Sequence, residues 1–262
     1  MKTIFLDLAM GAAGDMLTAA LYELLDENGR ASFIKTVNSL GLTGVSVNIR
    51  GTSKCGICGT AVDVLVDGVS EDDTVNHEHD HHHEHHEHHH VHSSMADIDR
   101  IIDGLLVSDT VRINAKKIYR IIAEAESAVH GVPVTDIHFH EVGAIDAVVD
   151  VTSVCILFEM LAPEKICASP VCVGYGTVEC AHGILPVPAP ATANILKGIP
   201  MYSGDTKGEM CTPTGAALIR YFAEEFGPMP VIVTQKIGYG MGKRDYGTAS
   251  ALRAMLGEIN DR

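Results

Sequence analysis

Aromatic residues are scarce in this chain of 262 residues: tryptophan is absent, and the aromatic fraction is 5%. Proteins that bind single-stranded nucleic acid stack bases on aromatic side chains, so the composition argues against that function. Basic residues are also few, because 19 Lys and Arg stand against 34 Asp and Glu and give a formal net charge of −15. Phosphate backbones are bound by basic surfaces, and the charge balance therefore argues against a nucleic-acid partner in general.

Long apolar runs are missing as well. No stretch approaches the roughly 20 apolar residues that a membrane-spanning helix needs. Asp7 and Asp15 interrupt the N-terminal segment where a signal peptide would keep its apolar stretch. We therefore expect a cytoplasmic protein. The chain contains seven cysteines, an odd number, spread along its length. We predict that they are free thiols rather than disulfides.

Apolar residues nevertheless make up 46% of the chain, which is ample for a large core. The order of predicted elements is that of a mixed α/β protein. It consists of a small N-terminal βααββ unit at residues 1–67, a disordered His-rich loop at 68–94 and a larger α/β part at 95–262. The sequence leaves open the strand order, whether the two parts share one sheet, and whether the protein is a homo-oligomer.

The N-terminal unit begins with a predicted strand at residues 2–8, a turn containing Gly11 and Gly14, and a helix. Such a turn directs backbone N–H groups and a helix N-terminus at an anion, although a tight turn that needs small residues explains the glycines equally well. Asp7 and Asp15 are candidates for holding Mg²⁺ or Mn²⁺, and Asp15 is alternatively a helix cap.

The hairpin predicted next carries Cys55 and Cys58. This C-x-x-C pair is half of a zinc site, and the sequence contains no second pair. We therefore favour two thiols in a hairpin and assign no metal.

Histidines dominate residues 77–92, which contain almost no apolar side chain. Such a segment cannot bury enough surface to offset its ordering entropy, so a mobile loop is expected. Its imidazoles should bind late first-row metal ions weakly and exchange them quickly. An expression tag is the alternative, but tags sit at termini and lack interspersed acidic residues. The predicted weak nickel ligands are His81, His82, His83, His85, His86, His88, His89 and His90.

The segment from Thr135 to Asp150 concentrates the most reactive side chains. His138 and His140 project from one face if the segment is extended, and Glu141 follows directly. Asp146 and Asp150 lie one turn apart on a predicted apolar helix, where carboxylates need a compensating charge. Imidazoles and carboxylates together suit a divalent transition metal. Hydrogen-bonded core histidines and aspartates that cap loops are the alternative.

Three later segments add candidate groups. His182 precedes a glycine in a proline-rich loop. It is either a catalytic acid or base or a metal ligand, or it is a structural residue whose ring is hydrogen-bonded within the loop. Thr212 and Thr214 open a predicted helix and offer hydroxyl and amide donors to a phosphate or carboxylate. Residues 165–173 and 231–236 are predicted strands. The second is followed by a predicted glycine-rich loop at 237–247, which carries Lys243 and Arg244.

Four segments in this order, FLDLAMGAAGDM, DIHFHEVGAIDAVVD, AHGILPVPAPAT and CTPTGAAL, resemble the nickel insertion proteins of the LarC type. The resemblance covers nearly the whole chain. It implies a CTP-dependent cyclometallase, assisted by Mn²⁺ or Mg²⁺, that inserts Ni²⁺ into pyridinium-3,5-bisthiocarboxylic acid mononucleotide and so forms the nickel-pincer cofactor of lactate racemase. Longer members continue into a C-terminal segment that handles CTP, so we expect this chain to need that segment or a partner chain.

Residue roles follow from the chemistry that such an insertion requires. The predicted metal ligands are His138, His140, Glu141, Asp150 and Asp7, and His182 or Asp146 is predicted to remove the ring proton that nickel replaces. A non-catalytic nickel chaperone or buffer and a metal-dependent hydrolase are the competing functions. The predicted substrate-binding residues are Gly11, Gly14, Asp15, Thr212, Thr214, Gly215, Lys243 and Arg244.

Overall fold

The structure, a computed structural model, describes residues 1–70, 93–139, 142–180 and 182–259. His140, Glu141 and the predicted nickel-binding histidines of residues 77–92 lie outside these ranges. The helices of the described part are α1 (Gly14–Glu23), α2 (Glu27–Val37), α3 (Met95–Gly104), α4 (Asp109–His130), α5 (Ile145–Leu161), α6 (Pro190–Ile195) and α7 (Pro213–Phe222). A short 3₁₀ turn spans Val134–Asp136.

The strands of the same residues are β1 (Lys2–Asp7), β2 (Val45–Lys54), β3 (Ile57–Val66), β4 (Val69–Ser70), β5 (Ser93–Ser94), β6 (His138–Phe139), β7 (Lys165–Ala168), β8 (Val171–Cys172), β9 (Gly174–Tyr175), β10 (Thr177–Cys180), β11 (Gly183–Pro186), β12 (Met201–Tyr202), β13 (Gly208–Glu209), β14 (Glu225–Phe226), β15 (Ile232–Met241) and β16 (Ala251–Ile259).

One large mixed sheet organises the molecule. Its strands run in the order β14, β7, β1, β16, β15, β3, β2, and β4 pairs with β3. β1 is parallel to β7 and antiparallel to β16, whereas β15 joins the first unit through a parallel contact of Gly240 with Thr60. The mixed α/β class is therefore confirmed. Strands from both predicted units belong to the same sheet, which the sequence had left open.

Helix α1 packs directly on β15 because that strand carries two glycines. A β-carbon on Gly238 would lie 2.1 Å from the carbonyl oxygen of Ala20, and one on Gly240 would lie 1.8 Å from that of Met16. The prediction of a loop from residue 237 is thus wrong for residues 237–241, which continue the strand. Glycine here permits close approach of a helix backbone to the sheet, and the loop begins only at Gly242.

Helix α5 runs through the centre of the core. Val148, Val149, Val151 and Val154 are completely buried, which confirms the burial that its apolar sequence predicts. Each such side chain contributes on the order of 1.5–3 kcal/mol when it leaves water. This helix thereby places Asp146 and Asp150, which lie near its N-terminus and are half-buried, beside the core.

The predicted strand at residues 165–173 is interrupted. β7 ends at Ala168, and β8 pairs with β12 outside the large sheet. Pro170 lies at the break, where it provides no backbone N–H to continue the ladder.

All seven cysteines are thiols in the structure, as predicted. Among the described residues, every helix is either too short or too polar to cross a membrane.

Candidate functional site

A cavity of about 570 Å³ opens where three long helices begin. Because the first backbone N–H groups of a helix lack intrahelical partners and carry the positive end of its dipole, converging N-termini favour an anionic ligand. The lining residues from these N-terminal turns are Ala13, Gly14 and Asp15 of α1, Asp146, Ala147 and Asp150 of α5, and Thr212, Pro213 and Thr214 of α7.

The N-termini of α1 and α7 are held side by side by hydrogen bonds between the loops that precede them. Ala12 N donates to Met210 O at 2.9 Å, and Thr212 N donates to Ala12 O at 3.0 Å. Gly11 has φ +90°, and a β-carbon there would lie 2.0 Å from Met210 O. A β-carbon on Gly215 would lie 2.3 Å from Ala12 O. Both glycines therefore bring the loops together and lie outside the cavity lining, so their predicted contact with substrate stays a prediction.

Thr212 caps α7. Its hydroxyl accepts a hydrogen bond from Gly215 N at 3.1 Å and lies 3.0 Å from the hydroxyl of Thr214. An N-cap of this kind typically stabilises a helix by about 1 kcal/mol. The predicted helix start is confirmed, and both threonines line the cavity.

The buried phenol of Tyr119 is close enough to Asp146 and Asp150 to be affected by their charges. The hydroxyl of Tyr119 donates to Val142 O at 3.1 Å. Burial raises the pKa of Tyr119 well above its ordinary value, and the negative charges of Asp146 and Asp150 raise it further. Tyr119 is therefore a neutral hydrogen-bond donor.

The cavity also collects imidazoles from separate elements. His138 lies on β6, opposite Ser94 of β5. His182 lies in the turn between β10 and β11. Both were predicted from the sequence, and both line the cavity.

His130 and Glu126 are lining residues that the sequence analysis missed. They lie in the last turns of α4, where Nε2 of His130 is 3.5 Å from Oε2 of Glu126. The centroid of the His130 ring lies 4.9 Å from that of His182. The i, i+4 spacing of Glu126 and His130 is visible in the sequence, but the hairpin that places His182 beside them is a tertiary contact.

Two cationic side chains close another side of the cavity. Lys243 and Arg244 line it from the loop after β15. Arg244 Nη1 lies 3.6 Å from Oε2 of Glu209, whose side chain is only 9% exposed. Nζ of Lys54 donates to the carbonyl oxygen of Arg244 at 2.6 Å and so ties this loop to the β2–β3 hairpin.

The predicted metal ligands are only partly brought together. In the described ranges, no three His, Cys, Asp or Glu side chains are grouped so that they could hold a metal ion. His138 and Asp150 share the cavity, whereas Asp7 lies outside its lining and forms an ion pair with Arg253 at 2.5 Å. The assignment of His138, His140, Glu141, Asp150 and Asp7 to one metal stays a prediction.

The cavity thus combines helix N-termini and cationic side chains, which suit an anionic ligand, with imidazoles and carboxylates, which can bind a cation or accept a proton. The chain belongs to the nickel insertion protein family, whose model matches residues 4–262. The resemblance carried by the four sequence segments is thus confirmed.

Several relatives bear the name pyridinium-3,5-bisthiocarboxylic acid mononucleotide nickel insertion protein. The chain is 42% identical over 264 residues to the protein from Lactiplantibacillus plantarum, a match that covers 98% of this chain and 62% of the relative. Identity is 41% over 259 residues to the protein from Clostridium kluyveri, a match that covers 98% of this chain and 62% of the relative. Identity is 39% over 264 residues to the protein from Acetivibrio thermocellus, a match that covers 100% of this chain and 62% of the relative. The chain therefore spans about three fifths of the length of these relatives. No solved structure matches it.

Proposed function

We propose that this chain binds pyridinium-3,5-bisthiocarboxylic acid mononucleotide and inserts Ni²⁺ into it, acting as a nickel insertase, or cyclometallase, of the lyase class. Membership of the family and the names of the relatives support the substrate. The observation that carries the proposal is the shared cavity, in which helix N-termini and two cationic side chains face the same space as His138, His182 and Asp146.

The phosphate of the mononucleotide is assigned to the N-termini of α1 and α7. Backbone N–H groups there, together with the Thr214 hydroxyl, supply hydrogen-bond donors to phosphate oxygens. Lys243 and Arg244 add positive charge to the same cavity. Arg244 would exchange its contact with Glu209 for the phosphate, because a guanidinium binds phosphate oxygens in a bidentate manner.

Insertion replaces one ring proton by nickel. The carbon–hydrogen bond breaks, its electron pair forms the carbon–nickel bond, and one proton leaves for a base while the two thiocarboxylate sulfurs coordinate the metal. His182 and Asp146 are the predicted bases. Such positioned bases typically contribute about 10²–10⁴-fold to rate.

The dependence on CTP is assigned to a longer assembly. The relatives exceed the matched region by about two fifths of their length, and we assign the handling of CTP to that additional segment or to a partner chain. Mn²⁺ or Mg²⁺ takes oxygen ligands from nucleotide phosphates and carboxylates. Asp15, Asp146 and Asp150 are cavity carboxylates of the required type.

The test is incubation of the chain with the mononucleotide, Ni²⁺, CTP and Mg²⁺, with and without the additional segment of a longer relative. Mass spectrometry should detect the nickel isotope pattern in the nucleotide together with the loss of one proton. We expect Asp146→Asn to lower the yield at least about 100-fold. Asp136→Asn is the matched control, because Asp136 is exposed and lies outside the cavity lining.

Two results would contradict the proposal. Failure of the chain to bind the mononucleotide removes the substrate assignment. Metal-dependent hydrolysis by a chain that is indifferent to the mononucleotide favours the hydrolase alternative.

A further inference from the structure

His130 and His182 form an imidazole pair at one end of the cavity. His130 ends α4, and His182 lies in the exposed turn of the β10–β11 hairpin, so the two rings approach from separate elements. Their centroids are 4.9 Å apart, and their planes are inclined by 41°. The proposed function assigns His182 the role of a base. This role does not explain why a second imidazole, His130, lies beside it with the carboxylate of Glu126 next to that imidazole.

The spacing of the two rings fits a shared metal ion. A ligating imidazole nitrogen lies about 2.0–2.1 Å from a first-row metal, which places the ring centroid about 3.2 Å from it. Two imidazoles on one metal then have centroids about 4.5 Å apart at a right angle and about 5.2 Å apart at the tetrahedral angle. The observed 4.9 Å lies between these values.

Glu126 supplies the support that metal-binding histidines usually have. Its Oε2 lies 3.5 Å from Nε2 of His130, one helical turn away on the same face of α4. A carboxylate beside a ligating imidazole commonly orients the ring, and Glu126 is positioned to act in this way when His130 binds a metal.

We propose that His130 and His182 dock the incoming Ni²⁺ as a two-imidazole site, with Glu126 as the residue that positions His130. The proposal rests on the proposed function, which makes Ni²⁺ the metal that is delivered. Two protein ligands leave coordination positions for water and then for the thiocarboxylate sulfurs of the substrate, so the ion can leave as the substrate captures it. Because His182 then holds the metal, the ring proton goes to Asp146.

Nickel titration without any nucleotide tests this site. The full-length chain with the eleven histidines of residues 77–92 replaced by glutamine keeps only His130, His138, His140 and His182 of its 15 histidines. In this background, isothermal titration calorimetry at neutral pH should detect one Ni²⁺ per chain. His130→Gln and His182→Gln should each weaken binding at least about 10-fold, and Glu126→Gln about 10–100-fold.

Glu124→Gln is the matched control, because Glu124 lies on the same helix, pairs with Arg120 and does not line the cavity. It should bind nickel as the background does. His130→Gln and Glu126→Gln change α4 and could disturb folding. His182 is exposed in a turn, so His182→Gln should fold normally and still tests the site. Unchanged affinity in His182→Gln overturns the proposal, as does a loss confined to His138→Gln, which would place the metal at His138.

The absence of nucleotide separates this inference from the proposed function. Nickel bound through His130 and His182 in a chain that never yields the nickel-containing nucleotide leaves the docking site standing and refutes insertion. Insertion that proceeds at full yield in His182→Gln refutes the docking site alone.

Discussion

A β-carbon on Gly14 would lie 2.9 Å from the β-carbon of Asp150 and 3.0 Å from its Oδ2. The first residue of α1 therefore touches α5 at the carboxylate that lines the cavity, with no room for a side chain between them. This contact sets the separation of two helix N-termini and, with it, the position of Asp150.

Replacing Gly14 by alanine should destabilise the protein by about 1–3 kcal/mol, because the added methyl group overlaps Asp150 and either that side chain or α1 must move. Urea unfolding measures the change in free energy. Gly104→Ala is the control, since a β-carbon there meets nothing within 4 Å and should be neutral or stabilise α3 by about 0.5–1 kcal/mol. Equal stability of Gly14→Ala and wild type would contradict the close contact.

A larger effect is expected for Gly240→Ala, where the new β-carbon would lie 1.8 Å from the backbone oxygen of Met16. A backbone atom cannot rotate away, so α1 must shift off the sheet, at a cost of about 3 kcal/mol or more. Thermal and urea unfolding report this loss. Gly51→Ala on β2 has nothing within 4 Å of its β-carbon and should fold as wild type. A similar stability of the two variants would show that β15 and α1 are farther apart.

The features that the sequence predicted correctly are local ones. The start of α7 was predicted at Thr212, because an N-cap side chain bonds to backbone only a few residues away, here the N–H of Gly215. The apolar sequence of α5 likewise predicted its burial, because any helix with so few polar faces must lie inside.

The errors and omissions have distant causes. Gly238 and Gly240 have the local signature of a loop, yet their cause is the backbone of α1, which lies more than 200 residues earlier in the chain. The ion pair of Asp7 with Arg253 was not predicted, because the strand order that places Arg253 opposite Asp7 was not readable from the sequence. His130 escaped notice because its partner His182 reaches it only through the folded hairpin.

Thr212→Ala removes the hydroxyl that caps α7 and should lower the free energy of unfolding by about 0.5–2 kcal/mol. It should also weaken binding of the mononucleotide, since the frayed N-terminus no longer presents ordered N–H groups to the phosphate. Thr212→Ser keeps the hydroxyl and should restore both properties. Ser108→Ala is the matched cap variant at α4, away from the cavity, and should cost similar stability without changing nucleotide affinity. Equal affinity of Thr212→Ala and Ser108→Ala for the mononucleotide would contradict the phosphate assignment.

Exposed cysteines should react with a thiol reagent faster than buried ones. Cys55 and Cys58 are exposed in the β2–β3 hairpin, whereas Cys155 and Cys211 are buried. Because burial raises the pKa of Cys155 and of Cys211, little thiolate forms at either position in the folded protein. Iodoacetamide at pH about 8, near the ordinary pKa of a thiol, should therefore label Cys55 and Cys58 first, as read by peptide mass spectrometry. Early labelling of Cys211 in folded protein would contradict its burial at the loop junction.

The same raised pKa values predict a loss of stability at alkaline pH. Below the ordinary thiol pKa of 9.0, both thiols are protonated in the folded and the unfolded chain, and their contribution to stability is fully present. Above pH 9.0 the unfolded chain releases these protons while the folded chain keeps them. Unfolding therefore becomes more favourable as pH rises, by up to about 1.4 kcal/mol per pH unit for each thiol.

Urea unfolding at a series of alkaline pH values should show this decline in stability. The double variant Cys155→Ala and Cys211→Ala should have a shallower slope, whereas Cys55→Ser and Cys58→Ser together should keep the wild-type slope because both side chains are exposed and the two buried thiols remain. An identical slope in all three proteins would show that the buried thiols do not couple folding to pH.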